Sequence, residues 1–186
     1  MRFTRRGLTQ GLATAVAGTL AAAALPRKPL AEELPPPTGM THFDPPKPVP
    51  DAAFVTADGT QHLLSEFKGR GMVVNLWATW CGPCVAEMPS LAILSKALAP
   101  SDIAVLPLSS DRGGAPVVSA WFARHDVTTL PVLLDPHGNM ARALGTHGIP
   151  TTVIINTANQ MVAQLVGAAD WSSPAVQAMV KKLVSA

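Results

Sequence analysis

Cysteine is almost absent from this chain of 186 residues: there are two, and they stand together in Trp80-Cys81-Gly82-Pro83-Cys84. With no other thiol in the chain, the pair can join only to each other, to a partner's thiol or to a metal. No second Cys-x-x-Cys exists, which excludes the usual four-ligand structural zinc site. Haem attachment is excluded as well, because Val85 rather than histidine follows the second cysteine. Basic charge is scarce outside the N-terminus. Arg2, Arg5, Arg6, Arg27 and Lys28 all precede Glu32, so the remainder carries nine Lys and Arg against twelve Asp and Glu, a net charge of −3. A mildly acidic domain offers no electrostatic footprint for nucleic acid, and that partner class is set aside. Internal repeats are absent too. The apolar content of 48 % overstates the core, because an Ala-rich N-terminus inflates it.

What is present falls into three parts. Residues 1–31 read as an export signal or a membrane anchor. Arg2, Arg5 and Arg6 form a charged start, residues 8–25 are uncharged and largely apolar, and small-residue sites follow at Ala22-Ala23-Ala24 and Leu30-Ala31. Thr4-Arg5-Arg6-Gly7-Leu8 partly matches a twin-arginine signal, from which Thr9 and Gln10 depart. The reading is a periplasmic domain, held at the inner membrane through residues 8–25 if the leader is not cut. A lone cysteine pair there oxidises unless something keeps reducing it. Residues 26–50 then hold nine of the eighteen prolines. Such a stretch favours extended polyproline conformation, so 32–50 is expected to be a semi-rigid spacer before a folded unit over 51–186.

Within that unit the signals alternate. Residues 54–63 predict a hairpin turning at Asp58-Gly59, and 65–69 a helical turn. Residues 72–77 are too apolar for a half-exposed strand and predict a central one. A helix is expected over 82–98, with Val85, Met88, Leu91, Ala92, Ser95 and Leu98 spaced three and four apart and a kink at Pro89. A second central strand follows at 103–109. Next come a helix over 116–125 with Val117, Ala120, Trp121 and Arg124 at helical spacing, a strand at 132–134 and a short helix at 138–144. A hairpin over 151–156 and 161–166 and an amphipathic helix over 174–184 close the chain. This order fits an α/β fold: a central mixed sheet flanked by helices, with an N-terminal hairpin extension.

A Cys-x-x-Cys beside a βαβ pattern is a redox signature. The unpaired N–H groups and the dipole at a helix start stabilise an anion, so Cys81 is the expected thiolate nucleophile. Cys84 lies one turn on, facing inward, placed to resolve a mixed disulfide. A static staple is the duller reading, yet so short a loop constrains little of the unfolded chain. Pro83 stands in the first turn, where its missing N–H costs nothing. A soft Cu(I) site of Cys81, Cys84 and His147 remains an alternative, which would make the protein a metallochaperone rather than an enzyme.

These residues resemble the thioredoxin fold, and more narrowly the exported TlpA/ResA/CcmG-like thiol–disulfide oxidoreductases. The resemblance rests on Leu76 to Cys84, on Glu87 and Pro89, on Leu130 to Asp135, and on Gly148-Ile149-Pro150-Thr151-Thr152. It implies reduction of protein disulfides through Cys81 and Cys84 as a redox-active disulfide, without cofactor or metal. It also implies recharging by a membrane electron donor, with apocytochrome c or copper-site cysteines as targets. The chain is expected to act as a monomer. The Gly82-Pro83 dipeptide matches that of strongly reducing thioredoxin. The resemblance implies a cis bond between Ile149 and Pro150, facing the cysteines, with the Ile149 backbone free to pair with substrate.

Asn75 occupies the place of cytosolic thioredoxin's buried aspartate, and a carboxylate at the Glu87 position assists proton transfer at the resolving cysteine in ResA-like proteins. Catalytic roles thus fall to Cys81, Cys84, Glu87 and Pro150, and substrate contacts to Trp80, Gly82, Pro83 and Ile149. Trp77, Trp121 and Trp171 read as packing. A thiol peroxidase on the same fold would need threonine three residues before its reactive cysteine, where this chain has Ala78.

Overall fold

The structure, a computed structural model, describes residues 37–185. The leader over 1–31 and the first part of the spacer lie outside the described residues. Eight strands form one mixed sheet: β1 (Thr41–Pro48), β2 (Ala53–Thr56), β3 (Gln61–Leu63), β4 (Gly71–Trp77), β5 (Ile103–Ser109), β6 (Leu133–Leu134), β7 (Thr151–Ile155) and β8 (Gln160–Val166). Their order across the sheet is β1-β8-β7-β4-β5-β6-β2-β3. The β4–β5 and β5–β6 pairs are parallel, and the other neighbours run antiparallel. Among the described residues four α-helices accompany them: α1 (Gly82–Leu98), α2 (Gly114–Arg124) and α3 (Asn139–Ala143) between strands, and α4 (Pro174–Val184) after the last strand.

Every residue of β4 is buried, as a continuous apolar run between two strands requires. Alternation along it divides the core into two faces. Val73 and Trp77 pack with α1, α2 and α4 through Met88, Leu91, Val118, Trp121, Val176 and Val180. Met72, Val74 and Leu76 face the other way, onto Leu64, Met140 and Phe54. The Asp58-Gly59 hairpin is β2–β3, with Gly59 at φ +88°, and it extends the sheet by pairing with β6.

Two expectations about burial need correction. In α1 the inward face is Cys84, Glu87, Met88, Leu91, Leu94 and Leu98, whereas Val85, Ala92 and Ser95 are only partly covered. In α2 it is Val118, Trp121 and Phe122, and Val117 is exposed. Met88, Leu91, Leu98 and Trp121 are buried as expected, and in α2 packing against Trp77 selects the aromatic side, Trp121 with Phe122. The helix α1 continues through Pro89.

The spacer expectation also fails in part. Residues 41–48 are β1, paired antiparallel with β8, despite Pro45, Pro46 and Pro48. The strand is tolerated because it lies at the sheet edge, is mostly exposed, and shifts register between His42 and Lys47 around the prolines. The Asp44–Pro45 bond there is cis.

Candidate active site

The parallel strand β4 ends at Trp77, and a short loop delivers Cys81 to the N-cap of α1. Cys81 and Cys84 form a disulfide, their Cα atoms 5.2 Å apart. The Cys84 N–H donates to Cys81 Sγ at 3.3 Å, so this sulfur already takes the place of a capping oxygen. Cys81 is 7 % exposed and Cys84 is fully covered, which leaves the first as the sulfur a partner can reach. Gly82 and Pro83 lie exposed in the first turn, and Trp80 stands 71 % exposed beside them. Such a pair can carry two electrons, as disulfide or as dithiol.

One turn beyond Cys84, Glu87 is almost completely buried, at 3 % exposure. Its Oε1 accepts from Asn75 Nδ2 at 2.8 Å. Its Oε2 accepts from the Ala169 N–H and from Trp171 Nε1, both at 3.1 Å. Desolvation pushes the carboxyl above its ordinary value, and these three hydrogen bonds partly pull it back. Asn75 Nδ2 also donates to Thr152 Oγ1 at 3.0 Å, while Asn75 Oδ1 has no hydrogen-bond partner. A buried acid thus stands between β4, α1 and the segment before α4.

Just before the start of β7, the Ile149–Pro150 bond is cis and Pro150 is buried. Ile149 packs against the cluster that contains both cysteines. The antiparallel register Leu76↔Thr151 brings this end of β7 to the end of β4 from which the cysteine loop departs. Trp77 and Trp121 are packed, as read from the sequence. Trp171 is packed too, but it also binds the Glu87 carboxylate, a role its sequence context did not signal. In the sequence Asn75 stands out only for the acid it replaces. A polar residue inside an all-buried strand was the available sign that something across the sheet needed a donor.

The Cu(I) alternative is not supported. Among the described residues no three His, Cys, Asp or Glu side chains gather as a metal-holding group, so Cys81, Cys84 and His147 form none. His147 is exposed on the loop before Ile149.

Comparison with known proteins agrees with this geometry. A ResA thiol-disulfide oxidoreductase from Geobacillus thermodenitrificans is 30 % identical over 108 residues, 58 % of this chain and 60 % of that protein. ResA from Bacillus subtilis is 27 % identical over 118 residues, 63 % and 65 % of the two chains. The matched part of this chain thus spans less than two thirds of each of these relatives. Among solved structures, the exposed lipoprotein thioredoxin Etrx1 of Streptococcus pneumoniae superposes with a TM-score of 0.60 at 26 % identity, over 71 % of this chain and 98 % of that one. A secreted thiol-disulfide isomerase from Corynebacterium glutamicum gives a TM-score of 0.67 over 84 % of this chain and 99 % of that one; at 20 % identity it shows the fold alone, a thioredoxin-like one. The sequence profile of the Redoxin family matches residues 45–181, from the edge strand into the last helix, and the chain belongs to that family.

Proposed function

We propose that this protein is an exported thiol–disulfide oxidoreductase that reduces protein disulfides through Cys81 and Cys84. The observation that carries the reading is the disulfide at the head of α1, with one sulfur capping the helix and the other fully covered. In the reduced protein the Cys81 thiolate attacks one sulfur of a substrate disulfide. That bond breaks, a mixed disulfide forms, and the second substrate sulfur leaves as a thiolate. Cys84 gives up its proton and attacks Cys81 Sγ, which releases the first substrate sulfur as a thiolate. Two electrons pass to the substrate, and the Cys81–Cys84 disulfide is the oxidised product.

Glu87 is the acceptor for the Cys84 proton. It follows Cys84 on the same helix face, and its burial moves its carboxyl toward the useful range. Trp80, Gly82 and Pro83 form an exposed lip for the client. The Ile149 backbone pairs with an extended client segment, and Pro150 beside it offers neither an N–H nor a metal-binding side chain. The basic and apolar leader supports a periplasmic site of action, by the twin-arginine route, with a membrane partner that restores the dithiol. Apocytochrome c or copper-site cysteines are the client class, and the working unit is a monomer.

The test is capture in intact cells with Cys84→Ser. This variant should hold clients as mixed disulfides through Cys81. A folded, exported variant that captures no protein, together with wild-type protein that cannot reduce a model disulfide, would overturn the proposal.

A further inference from the structure

A second buried carboxylate lies near the cysteine loop, and the exchange steps above do not use it. Asp111 stands two residues past the end of β5 and is 4 % exposed. Its Oδ1 accepts the Thr79 hydroxyl at 2.7 Å, and its Oδ2 accepts the Thr79 N–H at 2.9 Å. Oδ2 also accepts the Ser109 hydroxyl at 2.7 Å, and the Asp111 N–H returns a bond to Ser109 Oγ at 3.0 Å. The carboxylate is thus filled by donors on both oxygens, and two of the three come from one residue of the loop.

That loop is the segment between the end of β4 and Cys81. It is tied at both ends as well. The Ser110 N–H donates to the Trp77 carbonyl at 2.9 Å, and the Cys81 N–H donates to the Ala78 carbonyl at 3.2 Å. Thr79 is the middle point of the segment, and Asp111 reaches it from 32 residues away. Bidentate contact fixes orientation as well as position, since both the backbone N–H and the side chain of Thr79 are held. Cys81 can present its sulfur to the N–H groups of α1 only if this loop keeps its course.

We propose that Asp111 is a positioning residue for thiol exchange: its carboxylate clamps Thr79 and thereby sets Cys81 at the head of α1. The inference deepens the thiol-exchange reading and rests on it for its kinetic consequence. Thr79→Val removes the hydroxyl half of the clamp and leaves the Thr79 N–H on Oδ2, whereas a change at Asp111 disturbs both contacts, so changing Thr79 as well should add nothing to the Asp111 variant.

The experiment uses full-length protein as wild type, Thr79→Val, Asp111→Asn and the double variant. Two quantities are read: the rate of exchange with a small aromatic disulfide, and the pH midpoint of Cys81 alkylation by iodoacetamide. Thr79→Val keeps the Asp111 carboxylate, so its effect on the midpoint comes from geometry. It should slow exchange roughly tenfold, because a small misplacement of reacting groups is costly. It should also raise the alkylation midpoint, because the helix N–H groups no longer face the sulfur squarely. The double variant should be no slower than Asp111→Asn. Folded single variants with wild-type rate and midpoint would overturn the inference, as would full additivity in the double variant. If Asp111→Asn does not fold, Thr79→Val decides by itself. Wild-type protein inactive in exchange would overturn the functional reading instead, and the alkylation midpoint would still test the clamp.

Discussion

The side-chain amide of Asn75, in the middle of β4, donates to the carboxylate of Glu87, one turn below Cys84 on α1, at 2.8 Å with both residues buried. The contact explains why an acid is tolerated on the inward face of this helix. Buried carboxylates persist when donors meet them, and here the donors arrive from a strand, a backbone amide and an indole. Asparagine suits the strand position because a second carboxylate there would face Glu87 as a like charge.

Glu87→Gln should slow reduction of a protein disulfide by roughly a hundredfold, a common contribution of a placed acid or base. The pH dependence of the rate should flatten as well, because the titrating group is gone. Stopped-flow rates across the neutral range check both. A wild-type profile in the variant would leave Glu87 a purely structural acid.

Stability should carry the same signature. Glu87 is raised in the folded protein, so the native state holds its proton more tightly than the unfolded chain and unfolding releases it. Its stabilising contribution is present below the ordinary glutamate range and is lost as pH rises through the raised folded value. Melting midpoints of oxidised wild type and Glu87→Gln, compared from about pH 4 to about pH 8, should shift in favour of the variant as pH rises. A difference independent of pH would count against the shift.

Trp171→Phe keeps a ring in a fully buried position but removes the indole donor to Glu87 Oε2. At neutral pH this should cost about 1–3 kcal/mol, the range for leaving a buried polar group short of a partner. In acid, with Glu87 protonated, the cost should shrink. Urea unfolding at the two pH values measures it.

Gly71 opens β4 where a Cβ would overlap Cγ1 of Val184 at the end of α4. Gly71→Ala should therefore destabilise by about 1–3 kcal/mol, as overpacking does. Adding Val184→Ala should return part of the loss, although it removes buried surface itself. Strictly additive losses in denaturant unfolding would show that the two side chains do not collide.

Trp80 is mostly solvent-exposed, so Trp80→Ala should change stability by no more than about 0.5 kcal/mol. Its effect should appear in binding: KM for a protein disulfide rises, while the rate with a small disulfide stays near wild type. Equal effects on both substrates would remove Trp80 from the client surface.

Much of this molecule could be read along the chain. The helix expected over 82–98 is α1 with those bounds, and the apolar run before it is the central β4. Both follow from local signals: periodicity, a proline in the first turn and an unbroken apolar strand. The closing helix is α4, and Ser173 caps it by accepting the Val176 N–H at 3.3 Å. By contrast, β1 looked like a spacer, because proline content says how a segment resists a sheet interior but not that an edge is open to it.

Sequence alone determined the redox pair, its place at a helix start and the α/β order around it, since these depend on residues within a few positions of one another. Only the tertiary structure decided what surrounds the pair. Whether Glu87 is covered depends on Trp171, 84 residues later, and whether the cysteine loop is held depends on Asp111, 32 residues after Thr79. Desolvation and hydrogen bonding are set by whichever distant segment closes over a side chain, and spacing along the chain carries no record of that closure.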